Sequence, residues 1–571
     1  HLAGTNGSTS VVLSGWAQLE EFDQQLAVRI QAGSLRLDSA LLRALPAGAR
    51  KSVRQYGLTG RCDLSGWIYL PPSRRELRYD MLAHIADGAM KPAGLAYPIK
   101  ALGGWLQVRP GRVDILQLTG RGGDGEIAVD GSVRLTDGQG RADLSVHCRG
   151  LLLDEPLRAA LPGRLQHVWD QLQPRGRINA FLRSQDRPDG RTWQASIELL
   201  DARLCYRKFP LPLEQVQGQV KLTARRAQLR RLQARCGQGR VWLDGTIESG
   251  PPLRANLQVR AEGMAFDEPL RRALPARFRR AWTAMRPTGR FDLSLARLGC
   301  SAEPDGAARW DYRGWLRLRD AGLELGFGLS GVDGVIVAAG QGGPGGRGLS
   351  LDGRAEVKRL TINGRVVTEL CARLRKASGS DLLRITDVSG RSYGGTVEGF
   401  AEVRFGRTEP EYGLSAVLRD VGLGPLLRTR PAGGEGGEDI GGSVTGNIFL
   451  TGLAGAAGSR RGGGELQIRR SQLQRLPLVA TFLDVANLTA PRGGAFDEAD
   501  VRFFVQDGRL RFERIDLRGQ GLWLAGIGSM RLSDRQLDLR ILAARPAGLG
   551  RLPLLGELVE RYGLEVVTAY M

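Results

Sequence analysis

The residues able to do acid–base, nucleophilic or metal chemistry in this chain are few and scattered. Histidine occurs four times, as His1, His84, His147 and His167. Their scarcity argues against a metal enzyme, and no HExxH pair is present. The six cysteines, Cys62, Cys148, Cys205, Cys236, Cys300 and Cys371, form no CxxC pair and match no zinc or redox spacing. They read as small buried or half-exposed side chains; a Cys205–Cys236 disulfide is conceivable, but no spacing argues for it. The GQGGPGGRG stretch at 340–348 lacks the Gly-Lys-Ser/Thr and the amphipathic helix that make a phosphate cradle. There is no nucleophile elbow and no repeated carboxylate pair in a Gly-rich turn. The expectation is a protein that is not an enzyme, with no cofactor and no metal.

One acidic position does recur. LDSALLRALPAGARKSVRQYGLTGR (37–61), LDEPLRAALPGRLQHVWDQLQPRGR (153–177) and FDEPLRRALPARFRRAWTAMRPTGR (266–290) align without a gap. Asp38, Asp154 and Asp267 coincide, as do Pro46, Pro162, Pro275 and Gly60, Gly176, Gly289, at offsets of 116 and 113 (38 to 154, 154 to 267). A catalytic carboxylate would need a partner at fixed offset. Glu155 and Glu268 follow two of the copies, but Ser39 follows the first. The physical reading is a helix cap: Asp accepts from the free N–H groups of the first turn, and Pro156 fits there because that turn needs no donor. Leu153, Leu157 and Leu161 recur at helical spacing, Pro162 starts a second helix, and Pro174 and Gly176 end it. Helix pairs are expected over 38–56, 154–172 and 267–285. An eroded fourth copy is expected from Leu423 to Gly446, keeping the 23-residue distance of Phe266 to Gly289 (289 − 266).

The elements between these caps read as strands. Gly15, Gly131, Gly245, Gly399 and Gly528 each open a segment of period-two alternation, followed by a turn and a partner strand. The apolar positions Val133, Leu135, Leu144, Val146, Ile247, Leu257, Val403, Leu532, Leu537 and Leu539 are expected on one face. Arg134, Glu248, Glu402 and Arg531 are expected on the other. The fold class expected is mainly β: an elongated, repetitive antiparallel sheet curled into a groove, with a short helix pair once per repeat. The units expected are 1–130, 131–244, a longer 245–398, the eroded 399–460 with its Gly-rich linker, and 461–571. Such one-sided strands need cover, and helix pairs once per unit cannot cover them all. The long apolar face is then either filled by side chains or a channel for ligand.

Composition narrows the partners. Of 571 residues 42% are hydrophobic and 25% charged, a globular balance, and the 80 glycines are about twice ordinary usage. The net charge of +21 is nearly all arginine, spread through every segment and alternating with apolar residues. Nucleic-acid binding favours a local basic patch interleaved with aromatics, whereas here aromatics are 6% and scattered. A solvated outer sheet face is the expectation, with no nucleic acid bound. No apolar run reaches membrane-span length. The chain starts at His1, so it is expected to be a fragment.

The C-terminal stretch resembles the AsmA-like C-terminal region. The resemblance rests on Leu476-Pro477, FDEADVRFFVQDGRL at 496–510 and GIGSMRLSDRQLDLRI at 526–541. The Asp–Leu-Pro–Gly repeats upstream look like the β-repeat body of the same AsmA-like and TamB-like superfamily. The resemblance implies a periplasmic protein of the diderm envelope, tied to the inner membrane by an N-terminal helix that this sequence lacks. It also implies a β-groove that shields phospholipid acyl chains and supports lipid movement or outer-membrane biogenesis. The ten apolar positions named above are then the expected groove lining. A structural or protein-interaction scaffold with a packed, ligand-free face is the alternative. At the C-terminus, Leu552, Leu555, Leu558, Val559 and Tyr562 stand at helical spacings, and a helix over 549–567 is expected to cap the last strand edge.

Overall fold

A computed structural model describes residues 1–6, 9–19, 24–38, 43, 57–70, 78–91, 97–136, 139–187, 190–302, 308–325, 327–343, 348–405, 409–427, 441–470, 496–519, 522–534, 536–544 and 566–570. The protein is mainly β and antiparallel. It divides into two compact units, one of His1–Val259 with Ser301–Pro304, the other of Arg260–Cys300 with Asp305–Met571. Among the described residues, no helix is long and apolar enough to cross a membrane.

The first unit is a meander. From Leu2–Asn6 to Gly239–Glu248, each strand pairs antiparallel with the next. The second unit repeats the design from Ala308–Glu324 to Val566–Tyr570. Sequential hairpins follow from the sequence: each alternating segment ends in a polar turn that returns the chain alongside itself.

The helix pairs form where the caps place them. Asp154 Oδ1 accepts from the Leu157 N–H at 3.0 Å and opens the helix Glu155–Ala160, which buries Leu157 and Ala160. Pro162 precedes Gly163–Leu172, and Gln173 ends that helix in the left-handed region at φ 46°. The third copy is the same in detail. Asp267 caps Glu268–Ala273 through the Leu270 N–H at 3.0 Å, and Arg286 at φ 43° ends Ala276–Met285. The first pair, 38–56, lies almost wholly outside the described residues.

Each loop carrying a helix pair is closed by one backbone hydrogen bond to the recurring glycine. Leu37 donates to Gly60 O at 3.0 Å, Leu153 to Gly176 O at 2.9 Å and Phe266 to Gly289 O at 3.2 Å. The eroded copy keeps the bond but not the spacing. Leu423, which starts the single turn Leu423–Leu427, donates to Gly442 O at 3.0 Å. Gly446 instead stands inside the strand Ser443–Leu453, opposite Leu466. The closing glycine thus comes four residues earlier than the spacing of the other copies places it (446 − 442). At the C-terminus, the edge of Leu537–Ala544 is covered by the strand Val566–Tyr570, so Val566 and Val567 are strand rather than helix. Residues 549–565 lie outside the described residues, as do Leu476 and Pro477.

Candidate functional site

Residues directly opposite in an antiparallel ladder share a face of the sheet. Following those pairs from strand to strand traces rows across each unit. In the second unit one row runs Gly314, Ala338, Gly353, Leu374, Ile385, Ala401, Leu414, Leu450, Gly462, Val505, Leu510, Met530 and Leu537. That is one residue from each of thirteen successive strands, and none is polar. In the first unit a second row runs Leu35, Cys62, Ile85, Gly104, Leu118, Val129, Val146, Leu182, Ala195, Leu222, Ala227 and Ile247. It too has no charged or hydrogen-bonding side chain beyond one thiol.

Burial along these rows is uneven, and the unevenness locates the open part. In the first unit Cys62, Ile85, Leu118 and Val129 are buried in a cluster with Tyr97 and with Leu157 and Ala160 of the helix Glu155–Ala160. Burial there pushes the Cys62 thiol up to about 11, its Asp63 neighbour adding to the effect. From Val146 to Ile247 the row is only half-buried. In the second unit every member of the row is half-buried except Gly462. A face sealed by other side chains would bury such residues almost completely.

Strand glycines recur on this face where neighbouring strands approach closely. At Gly131, φ is +138° and an added Cβ would lie 3.0 Å from Leu144 Cα and closer still to the Asp143 carbonyl oxygen. Gly15, Gly245, Gly399 and Gly528 meet the neighbouring strand's backbone in the same way. Lacking a side chain, glycine lets two strands close together on the inner side, which is how sheets are given curvature. Within the second unit the helix Ala276–Met285 and the distant hairpin turn at Gly455 meet. A Cβ on Gly455 would come 3.1 Å from Ala284 O.

The residues expected to line the groove divide into three groups. Val133 faces Ala142, Leu144 faces Gly131 and Val146 faces Val129, all on one side of one hairpin in which Leu135 pairs with Gly140. Ile247 faces Ala227, and Leu257 lies beside Gly245, whose Cβ would come 2.8 Å from Leu257 Cα. Leu537 faces Met530 and Leu539 faces Gly528. Val403 lies on the same side as its ladder partner Tyr412 but is packed shut: Phe327 meets Tyr412 edge-on at 5.4 Å, and the three form one buried cluster. Leu532 is outside the ladder. The strand ends at Arg531, and Leu532 lies in the turn, its N–H donating to Gly508 O at 2.9 Å. The opposite face carries charge. Glu402 pairs with Arg384 at 3.1 Å and Arg531 with Asp534 at 2.7 Å, while Arg134 and Glu248 are exposed.

A set of polar residues escaped the reading of the sequence. Ser34, Gly150 and Gly263 each have positive φ, and the backbone N–H of each donates to a side chain 29 residues on. The acceptors are Asp63 Oδ1 at 2.8 Å, Asn179 Oδ1 at 3.0 Å and Asp292 Oδ1 at 2.8 Å. The acceptors follow the same 116 and 113 offsets (63 to 179, 179 to 292), which is the signal that finds them. Asp292 is nearly fully buried. Burial works to raise its pKa, but the Gly263 N–H and the Arg319 guanidinium, with Nε at 2.9 Å, outweigh it and hold the carboxyl below its usual range.

Among the described residues, no three His, Cys, Asp or Glu side chains are grouped to hold a metal ion, and Cys62, Cys148, Cys205 and Cys371 are free thiols. No protein-family model matches this chain, and no curated protein matches it.

Proposed function

We propose that the chain is a non-enzymatic envelope protein whose curved inner face shields phospholipid acyl chains during movement between the inner and outer membranes. The observation carrying this reading is the thirteen-residue row from Gly314 to Leu537, wholly apolar and half-buried at every position but Gly462. At about 4.8 Å per strand the row extends roughly 60 Å along the sheet, about twice the hydrocarbon thickness of a bilayer. A site built for one small ligand has no need of that length. Each buried methylene contributes about 0.8 kcal/mol. Side chains of similar size repeated along the row keep that gain nearly constant from place to place, so a chain can slide without a deep trap. The order of the C-terminal motifs, similar to the AsmA-like region, supports the same setting: the periplasm, with a membrane anchor outside this sequence.

The alternative is a scaffold of the envelope with a closed face. The buried cluster of Phe327, Val403 and Tyr412 favours it locally, since that part of the face is filled. Native mass spectrometry of the purified protein separates the two readings. Co-purified phospholipid, lost from Ile385→Asp and kept by Thr386→Asp on the opposite face of the same strand, supports the groove. Protein free of lipid in all three forms supports the scaffold.

A further inference from the structure

Two buried polar atoms on the inner face of the second unit, Tyr412 Oη and Arg460 Nε, have no hydrogen-bond partner among the described residues. Buried donors without a partner are rare and costly, and each calls for an explanation. These two are neighbours. Val403 faces Tyr412 and Tyr412 faces Gly452. Arg460 lies on the next strand, in an irregular stretch between the pairs Leu453–Ala456 and Thr451–Arg461. Gly452 has no side chain, so the Tyr412 ring lies across it: a Cβ there would come 2.7 Å from Tyr412 Oη. The hydroxyl is thereby carried toward Arg460, whose charge acts on it. Burial raises the Tyr412 pKa, and Arg460 pulls against that rise. Among the described residues, no carboxylate forms an ion pair with Arg460. Lys376, further along the same row of partners, is held: its Nζ donates to Leu349 O at 2.6 Å.

Arg460 Nε can only donate, and the Tyr412 hydroxyl can donate beside it. The group that satisfies both, and the guanidinium charge, is an oxyanion. Two residues along each strand runs the apolar row: Ala401 before Val403, Leu414 after Tyr412, Leu450 before Gly452 and Gly462 after Arg460. Alternate residues of a strand share a face about 7 Å apart, so the polar pair borders the row on its own face. We propose that Tyr412 Oη and Arg460 Nε receive the phosphate of a phospholipid whose chains lie along the inner row. The inference rests on the groove reading for the chains and on the two unpaired donors for the phosphate. Phe327, which meets Tyr412 edge-on at 5.4 Å, covers the site, and its ring turns aside for a headgroup to enter.

The test is binding of short-chain phosphatidylglycerol, kept below its micelle concentration, to the full chain. Diacylglycerol of equal chain length and inorganic phosphate serve as separate probes. Tyr412→Phe removes only the hydroxyl. It should melt no lower than the wild type, because it discards an unpaired buried group, and should lose about tenfold in phosphatidylglycerol affinity. Arg460→Gln should lose at least as much, and both should bind diacylglycerol as the wild type does. Phe327→Ala, which removes the cover, should bind phosphatidylglycerol more tightly. Arg384→Gln, on the outer face, should change nothing. Wild-type affinity in both Tyr412→Phe and Arg460→Gln overturns the proposal and leaves water as the partner of the two groups. An equal loss of diacylglycerol binding in the two variants overturns it as well. Phosphatidylglycerol and phosphate bound by the wild type without any diacylglycerol, both weakened by Tyr412→Phe, would uphold the oxyanion site and sink the groove reading.

Discussion

Gly131 and Leu144 face each other so closely that the space for a side chain on Gly131 is taken by the neighbouring strand: a Cβ there would lie 3.0 Å from Leu144 Cα. Gly399 stands to Ala416 in the same relation, at 3.1 Å. Such glycines let two strands close together, the device by which sheets are given curvature.

Alanine at these positions should therefore cost more than at an ordinary strand site. Gly131→Ala adds positive-φ strain to the clash, and the expected loss is about 2–3 kcal/mol. Hydrogen exchange will read it as faster exchange in Gly125–Thr136 and Gln139–Leu152, with distant strands unchanged. Gly150 also has positive φ, but nothing lies within 4 Å of its would-be Cβ, so Gly150→Ala should cost less. Equal effects at the two sites would remove the close-approach argument.

The backbone clasps give a second test. Asp292→Ala strands the Gly263 N–H and the Arg319 guanidinium, and is expected to destabilise by about 1–3 kcal/mol. Asn179→Asp keeps the acceptor for the Gly150 N–H but sets a carboxylate against Glu198, which now accepts from Asn179 Nδ2 at 2.8 Å, so it should destabilise by less than Asp292→Ala and more at neutral than at acid pH. Thermal unfolding of the two variants checks both statements.

A third concerns pH. Arg271 and Arg272 hold the Glu268 carboxyl at about 2, through hydrogen bonds of 2.6 and 2.9 Å. A carboxylate with a depressed pKa stabilises the folded state above its unfolded value and loses that contribution as pH falls through its folded value. The window here runs from about 4.5 down to about 2. An NMR titration should find the Glu268 midpoint well below that of an unpaired glutamate. A midpoint near 4.5 in the folded protein would contradict the pairing.

Much of this was legible in the sequence for identifiable reasons. Asp154 and Asp267 declared the helix starts because a cap is a local interaction between residues three apart. Val133 and Arg134 declared opposite faces because strand periodicity is two. Long-range facts were not legible. Nothing local says that Phe327 folds onto Val403 and Tyr412, which closes the face where Val403 stood as lining. Ladder partners were equally hidden, so the run from Gly314 to Leu537 emerges only when the registers are known. The 23-residue rule misplaced the fourth closing glycine because a distance carried over from intact copies does not hold where the intervening sequence is replaced, and the bond forms at Gly442.

The central claim is that the inner row touches lipid and the outer face does not. A photoreactive amino acid placed at Ile385 or Leu510, on the row, or at Thr386, on the outer face, tests it after irradiation of protein purified with its lipid. Mass spectrometry should find phospholipid adducts at Ile385 and Leu510 and none at Thr386. Adducts at none of the three, or at Thr386 as often as at Ile385, would contradict the account.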